Sequence, residues 1–258
     1  MSARGGPGDA DELLARDLRA PRAGECAVGV CDGSGFLIDE QTNTASDCEC
    51  RKGRIARRRT ARLEGRLPKR YEGVSFERPP ISDIARTAPE QIRIVRRYVR
   101  SIGENLDAGR GLWIQGDIGT GKTTLAMLVS KCALEADRSV AIYSLPRLLN
   151  LLRESMESST GKLDLIDRLT DVDLLHIDDL GAENTTDWVL EQLYSIVNAR
   201  YEAERAVVAT TNLMPDELSQ RLGARTVSRL VEICGDLVPL YGEDKRFEIR
   251  PEQHTGAP

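Results

Sequence analysis

The sequence predicts an α/β fold, in which a parallel sheet carries helices on both faces, preceded by a small cysteine-rich module. Three observations support this class. Short apolar strands alternate with helices from residue 89 onward, a glycine-rich turn directly follows one of those strands, and four of the six cysteines lie between Cys26 and Cys50. Such alternation is typical of a parallel sheet that is buried on both faces. With 258 residues, 40% of them hydrophobic, the chain can build one full domain and one small module.

The elements of the alternating region are predicted from the lengths of their apolar runs and from the position of proline. Proline in its first turn opens a helix predicted over 89–105, because proline suits the first helical positions. Apolar runs of strand length predict strands at 112–115, 139–143, 172–177 and 206–210. Longer stretches predict the remaining helices at 122–136, 146–156, 162–169 and 186–204.

The N-terminal cysteines are spaced as a metal site. Four residues separate Cys26 from Cys31, and one residue separates Cys48 from Cys50. In a chain expected to be cytoplasmic, so tight a group is typical of metal ligands rather than disulfides. Four thiolates can hold zinc tetrahedrally, and the metal then replaces the core that about 40 residues cannot build. We therefore predict a zinc site.

Composition predicts a domain boundary near residue 70. Residues 1–24 are rich in glycine, alanine, proline and charge, and we expect them to be mobile. Residues 25–70 form the cysteine-rich and basic module, and residues 71–258 form the α/β domain. The linking segment contains Leu67-Pro68 and, further on, Pro79-Pro80, which rules out one regular element.

The net charge of −5 conceals a strongly basic block at residues 51–70. This block has ten lysines and arginines and one acid, Glu64, so it carries +9 and the rest of the chain carries −14. We expect it to be helical through Arg66 and to end before Pro68. Three readings stay open at this point, namely a solvated helix, a contact with nucleic-acid phosphates, and docking to an acidic protein.

No membrane segment is expected in the chain. No apolar run reaches the roughly 18 to 20 residues of a membrane span. The N-terminal residues also lack the apolar core of a secretion signal. We therefore expect a cytoplasmic protein without a membrane partner.

The run at 116–123, GDIGTGKT, fits the phosphate-binding pattern GxxxxGK[ST]. It lies between a predicted strand and a predicted helix, where backbone N–H groups and the helix N-terminus can face phosphates. Lys122 is expected to reach the β- and γ-phosphates of ATP, and Thr123 to bind Mg²⁺. The residues predicted to bind the nucleotide are Gly116, Asp117, Ile118, Gly119, Thr120, Gly121, Lys122, Thr123 and Thr124.

Polar side chains follow two later strands. Asp178 and Asp179 end the strand at 172–177, and Asn212 follows the strand at 206–210. Asp178 is expected to complete the Mg²⁺ shell, and Asp179 to orient and activate the attacking water. The carboxyl ends of parallel strands share one edge of the sheet, so Asn212 is expected beside these carboxylates, near the water or the γ-phosphate.

The combined motifs resemble those of AAA+ ATPases, and more narrowly those of DnaC/DnaI-type helicase loaders and the related transposition helper IstB. The series GDIGTGKT, HIDDLGAENTTDW, TTNL and RTVSRL falls within residues 71–240. The resemblance implies a five-stranded AAA+ sheet without a full helical lid, since only 28 residues follow Leu230. The residues that it implies for Walker A, Walker B, sensor I and the box VII arginine are Lys122, Asp178 with Asp179, Asn212 and Arg229, with Arg225 as a second candidate for the arginine finger.

The resemblance also implies surfaces for two partners. In the family, the helices at 146–169 line a DNA-binding groove, for which this sequence offers the cations Arg147, Arg153, Lys162 and Arg168. The cysteine pattern followed by a basic helix is similar to that of DnaI-like and phage-encoded loaders. In those loaders the N-terminal module holds the replicative helicase, which strengthens the zinc prediction.

The leading hypothesis is therefore an ATP-dependent loader of a hexameric replicative helicase onto single-stranded DNA, which self-associates in ATP and hydrolyses it slowly, as a switch. Asp179 stands where related ATPases often have glutamate, so fast hydrolysis is less expected than binding. The alternative is an IstB-like transposition helper ATPase that binds duplex DNA. A third hypothesis is a nucleotide-gated adaptor that hardly hydrolyses ATP.

Overall fold

The computed structural model describes residues 26, 28–61, 63, 66–155, 161–181, 186–242 and 244. It divides the chain into two compact units, Met1–Arg54 and Ile55–Pro258. The division falls inside a helix, whereas the sequence places a boundary near residue 70. The functional assignment of 25–70 to one module therefore stays a prediction, and the predicted mobile segment 1–24 lies outside the described residues.

The first unit contains one small hairpin and the start of a helix. Strands β1 (Phe36–Asp39) and β2 (Thr44–Asp47) pair antiparallel, with Phe36 opposite Asp47. Helix α1 (Cys50–Ala61) begins three residues later. Among the described residues of this unit, the buried apolar side chains are those of Cys48 and Cys50. The described residues of this unit therefore supply almost no hydrophobic core.

The second unit contains a parallel five-stranded sheet. Its strands lie in the order β4-β5-β6-β3-β7, and each neighbouring pair is parallel. The last strand has two residues and was not recognised as a strand in the sequence, although the AAA+ resemblance implies a fifth one. The strands are β3 (Leu112–Gln115), β4 (Val140–Ser144), β5 (Leu174–Leu180), β6 (Ala206–Thr211) and β7 (Val238–Pro239).

Two helix predictions need correction. The helix predicted over 89–105 is interrupted at Ser101, whose φ of −110° and ψ of 36° are not helical. The basic helix ends at Ala61 rather than at Arg66. The helices of the second unit that follow α1 are α2 (Ile81–Thr87), α3 (Pro89–Arg100), α4 (Ile102–Asp107), α5 (Lys122–Glu135), α6 (Leu145–Ser155), α7 (Gly161–Asp171), α8 (Asp187–Glu202), α9 (Pro215–Leu222) and α10 (Ala224–Cys234).

Helices cover both faces of the sheet, as the sequence predicts. Helices α2 to α5 pack on one face, and α6 to α10 pack on the other. Neighbouring residues of β3 show the alternation, because Ile114 belongs to the first core and Trp113 to the second, both with no exposed surface. None of the described helices is both long and apolar enough to span a bilayer.

Arg200 of α8 fixes one end of the sheet from inside the second core. Its side chain is fully buried and donates hydrogen bonds to four backbone carbonyls, including those of Val172 at 3.1 Å and Ala206 at 2.6 Å. Burial lowers the pKa of this guanidinium to about 9, because a low dielectric disfavours charge. Arg200 thereby joins the end of α7 to the entry points of β5 and β6.

Candidate nucleotide site and cysteine cluster

The glycine-rich turn between β3 and α5 has the tight backbone that phosphate binding requires. Gly116 and Gly121 adopt φ of 156° and 99°. A Cβ at Gly116 would lie 1.9 Å from the carbonyl oxygen of Leu240, and one at Gly121 would lie 2.4 Å from Cδ1 of Ile84. The backbone of Leu240 therefore requires glycine at Gly116, and the positive φ favours glycine at Gly121.

Lys122 is the first residue of α5 and points back along the turn. Its Nζ atom donates to the carbonyl oxygen of Asp117 at 2.6 Å, and the residue is only 6% exposed. The hydroxyl of Thr120 donates to the same carbonyl at 2.9 Å. Lysine and helix N-terminus thus lie together at the mouth of the turn, where both favour an anion.

The two predicted magnesium ligands are adjacent. The hydroxyl of Thr123 donates to the carboxylate of Asp178, with distances of 3.0 and 3.1 Å to its two oxygens. Asp178 is not at the end of a short strand, as predicted, but inside β5, which continues to Leu180. A hydroxyl and a carboxylate are the oxygen donors that Mg²⁺ prefers, so these residues fit that ion.

A threonine that the sequence did not identify joins the two acidic residues. The hydroxyl of Thr210 donates to Asp178 Oδ1 at 2.6 Å and accepts the N–H of Asp179 at 2.8 Å. Asp179 has a φ of 65°, and the pairing of β5 with β6 shifts register at this point. The amide of Asn212 donates to Asp179 Oδ1 at 2.9 Å. The end of β6 therefore positions both carboxylates.

His176 lies behind this network on β5. It has no exposed surface, its Nδ1 atom lies 2.9 Å from the hydroxyl of Ser130, and its Nε2 atom lies 4.0 Å from Asp178 Oδ1. Burial lowers the pKa of His176 to about 4, and Asp178 offsets only part of that effect. The imidazole is therefore neutral at pH 7.

The glycine-rich turn, Asp179, Thr210 and Asn212 border one cleft of about 350 Å³. Its opposite wall comes from the segment before α2, which the sequence treated only as a connection. There the guanidinium of Arg70 lies 4.4 Å above the ring of the buried Tyr71. The lining residues are Arg70, Tyr71, Pro80, Ile118, Gly119, Thr120, Gly121, Lys122, Thr123, Thr124, Asp179, Thr210 and Asn212.

The two predicted arginine-finger candidates do not line this cleft. Both lie on α10, beside a surface hollow shared with Tyr194. Arg229 is held within the chain, with its guanidinium 3.9 Å above the ring of Tyr201 and 3.0 Å from Glu232. Arg225, one turn earlier, is exposed and makes no hydrogen bond or ion pair with the described residues.

Two of the arginines on the helices of the predicted DNA groove already contact other groups of this chain. Arg153 lies 4.7 Å above the ring of Trp188 and donates to Asn150, and Arg168 pairs with Asp164 at 3.1 Å. The side chain of Lys162 lies outside the described residues. Arg147 is exposed on α6.

The four N-terminal cysteines form a cluster in the first unit. Their sulfur atoms all lie within 4.8 Å of one another, with 3.8 Å between Cys26 and Cys48 and 3.5 Å between Cys31 and Cys50. Four thiolates at about 2.3 Å around one zinc ion lie about 3.8 Å apart. The backbone N–H groups of Cys31 and Val30 lower the pKa of the Cys26 thiol to about 5. The donor set and its spacing therefore fit a tetrahedral zinc ion.

Comparison with known proteins places this architecture in context. The family model for the IstB-like ATP binding protein matches residues 100–246. The replicative helicase loader DnaI of Bacillus subtilis (strain 168) is 29% identical over 189 residues, 67% of this chain and 58% of that protein. The replicative helicase loader DnaC of Escherichia coli (strain K12) is 27% identical over 136 residues, 52% of this chain and 54% of that protein. The match thus spans little more than half the length of either relative.

A solved structure agrees with the fold. The crystal structure of the DnaC helicase loader superimposes with a TM-score of 0.58 at 24% identity, covering 67% of this chain and 99% of that one. At this identity the likeness shows the fold alone. The predicted AAA+ fold is confirmed, and so is the resemblance to the DnaC/DnaI and IstB group.

Proposed function

The chain belongs to the family of IstB-like ATP-binding proteins, and on that premise we propose that it is an ATP-dependent loader of a hexameric replicative helicase onto single-stranded DNA. The observation that carries this proposal is the 189-residue match to a replicative helicase loader. A loader acts where the cell's DNA is replicated, so we propose the cytoplasm as its compartment.

The nucleotide is proposed to bind in the cleft between the glycine-rich turn and Tyr71. Backbone N–H groups of the turn and Lys122 would hold the phosphates. Thr123 and Asp178, already 3.0 Å apart, would hold Mg²⁺, which supplies charge neutralisation between the phosphates. Thr210 would keep the Asp178 carboxylate turned toward that position.

Hydrolysis is proposed to be slow. Asp179 would orient the attacking water, with Asn212 holding the carboxylate at 2.9 Å. An aspartate reaches less far than the glutamate of related ATPases, so water activation is expected to be weak until a partner adjusts the site. Such an enzyme acts as a switch, in which ATP favours capture and hydrolysis favours release of the helicase.

Self-association in ATP is proposed to complete the site. A dissociating γ-phosphate is stabilised by a fixed guanidinium, and a second copy can supply one. The sequence favours Arg229 for this role. In the structure, however, contacts with Tyr201 and Glu232 hold the Arg229 side chain against its own chain. We propose Arg225 as the arginine that reaches a neighbour and Arg229 as the residue that positions α10.

The cysteine-rich unit is proposed to bind zinc and to contact the helicase. Cys26, Cys31, Cys48 and Cys50 would be the ligands. A small unit that the metal makes rigid can present a fixed surface to a partner without a hydrophobic core.

One experiment tests the proposal directly. Wild-type and Lys122→Ala proteins would be mixed with the replicative helicase of the source cell, with and without ATP, and analysed by size-exclusion chromatography with light scattering. We expect the wild type to form a stable complex with the helicase. If nucleotide controls capture, the Lys122→Ala variant should form no complex or one of different stoichiometry. Absence of a complex under all conditions would contradict the loader function.

The match to the IstB-like family model supports one alternative, a transposition helper that binds duplex DNA. It predicts no affinity for the helicase and a clear preference for duplex over single strands. Titrating fluorescent single-stranded and duplex oligonucleotides into the same protein separates the two functions.

A further inference from the structure

Helix α3 carries a row of arginines on its outer face. Its inner face is built from Ile92, Val95 and Tyr98, which pack into the first core of the sheet. Four arginines face outward against one acid, Glu90, so the helix carries +3 in a protein whose net charge is −5. We call these residues the arginine row: Arg93, Arg96, Arg97 and Arg100.

Half of the arginine row is not neutralised. Arg93 pairs with Glu90 at 2.8 Å. Arg96 lies 4.4 Å above the ring of Phe76 and 3.9 Å from Glu77. Arg97 and Arg100 are exposed and form no ion pair with any described residue. Two exposed and unpaired arginines one helical turn apart concentrate positive charge, which attracts an external anion.

The geometry of the row suits a regular polyanion. Arg93, Arg97 and Arg100 recur at helical spacing, so they form one stripe about 10 Å long. Each DNA strand advances about 3.4 Å per phosphate, and such a stripe therefore passes about three phosphates. A flexible acidic peptide would first have to be ordered in an extended form to match this stripe, which costs conformational entropy.

The surroundings of the row favour backbone contacts over base contacts. Proteins that bind bases of single strands offer exposed aromatic rings for stacking. Here the ring of Phe76 is covered by Arg96, and Tyr98 is only 8% exposed, with its hydroxyl bonded to the carbonyl of Arg110 at 2.7 Å. The row therefore offers charge without a stacking surface.

The helices that the family resemblance implicates in DNA binding differ from α3. Together α6 and α7 contain four basic and four acidic residues, so their net charge is zero. Arg153 and Arg168 are already engaged with Trp188 and Asp164. Helix α3, with its net charge of +3, is thus more cationic than α6 and α7.

We propose that the arginine row of α3 binds the phosphate backbone of DNA, without base specificity. This inference rests on the proposed function, because it names a surface through which the loader engages DNA. Single strands and duplexes share the phosphate chemistry, and the experiment distinguishes them.

The test replaces the two unpaired arginines in the full-length protein. Binding of a fluorescent oligonucleotide, single-stranded or duplex, is measured by anisotropy over a series of salt concentrations with ATP and Mg²⁺. For Arg97→Gln/Arg100→Gln we expect about tenfold or greater loss of affinity at about 0.1 M salt. The slope of log K against log salt should fall by about 1.8 for the duplex and about 1.4 for the single strand, whichever form is bound.

Three controls accompany the variant. Arg97→Lys/Arg100→Lys retains the charge and should keep most of the affinity. Arg153→Gln/Arg168→Gln removes the same charge from α6 and α7 and should change the slope little. A fluorescent ATP analogue and a thermal melt should show unchanged nucleotide binding and folding in all variants, because these side chains lie on the surface.

The outcomes separate this inference from the proposed function. Equal affinity and slope for wild type and Arg97→Gln/Arg100→Gln would overturn the role of the row and leave the DNA-binding loader intact. Loss confined to Arg153→Gln/Arg168→Gln would assign binding to α6 and α7 instead. Loss of ATP-dependent mass in light scattering, with DNA affinity unchanged, would make the row a contact between copies. If the wild type bound neither single-stranded nor duplex DNA, this inference and the DNA-loading part of the proposed function would both be wrong.

Discussion

The two units of this chain hold their candidate sites by different means. In the second unit the carboxylates are fixed by a buried sheet, and even a hydroxyl such as that of Thr210 is bonded on both sides. In the first unit the buried apolar side chains among the described residues are two cysteines, and both belong to the cluster. The sheet therefore fixes the carboxylates of the second unit, whereas we expect the cysteine site, once it binds zinc, to stabilise the fold around it. Removing ligands should therefore affect the two units very differently.

The largest expected effect is loss of metal from the first unit. Cys48→Ser, or chelation at neutral pH, should unfold this unit, because binding free energy and folding free energy are the same quantity in a small metal site. Metal analysis should find about one zinc per chain in the wild type and less in the variant, with new protease-sensitive sites before residue 55.

The control for this prediction is Cys132→Ala, which removes a half-buried thiol of α5 from the second unit. That variant should keep its zinc, and both proteins should still bind an ATP analogue. Well-folded, metal-free wild-type protein would contradict the comparison, since the first unit would then have a source of stability other than its ligands.

The second effect concerns Arg225 of the second unit, which does not line the cleft of its own chain. Arg225→Ala should leave ATP affinity nearly unchanged but lower the steady-state rate of phosphate release, on the order of 10²-fold, because an arginine finger acts in the transition state. The difference in rate between wild type and variant should grow with protein concentration, because the arginine is supplied by another copy of the chain.

Arg229→Ala serves as the comparison for Arg225→Ala. It removes the contacts with Tyr201 and Glu232, so it should lower thermal stability as well as turnover. A loss of turnover in Arg229→Ala alone, with stability unchanged, would return the finger to the residue that the sequence favours.

The glycine-rich turn between β3 and α5 lies where the sequence predicts it, whereas the places of Thr210 and Tyr71 at the cleft were not predicted. The turn is a local motif, in which eight consecutive residues carry both geometry and chemistry. Thr210 and Tyr71 both line the cleft only because folding brings β6 and the segment before α2 together there. A hydroxyl at a strand end and a tyrosine in a linker carry no local signal of that kind.

Element boundaries failed where tertiary contacts override local pattern. The apolar spacing at 89–105 continues across Ser101, yet the chain breaks the helix there so that α4 can place Ile102 and Leu106 in the first core. The two-residue strand β7 is held by pairing with β3, and a run of that length has no period to detect. Length and periodicity thus limited the prediction.

The third effect tests the fixed geometry of the carboxylates. Thr210→Val removes a hydroxyl that bonds both Asp178 and Asp179, which should cost about 1 to 3 kcal/mol at the site and about 10- to 100-fold in ATP turnover. The neighbouring Thr211→Val loses a bond donated to the carbonyl of Leu180 at 2.8 Å and a bond accepted from the N–H of Leu213 at 3.1 Å, and neither bond involves a carboxylate. Thermal melts and phosphate-release assays on both should show similar destabilisation but lost turnover only for Thr210→Val.

The smallest expected effect concerns the part of α1 that belongs to the second unit. Arg57 pairs with Asp137 at 3.1 Å, but the two side chains are 43% and 59% exposed. Water screens such a pair, so Arg57→Gln should change the free energy of unfolding by less than about 1 kcal/mol.

Thr60 differs, because its hydroxyl accepts the N–H of Val140 at 3.0 Å, at the first residue of the edge strand β4. Thr60→Val should therefore destabilise the unit more than Arg57→Gln in urea titrations. If Arg57→Gln proved the costlier change, the basic helix would be attached to the second unit by charge, and its arginines would be less available to any partner.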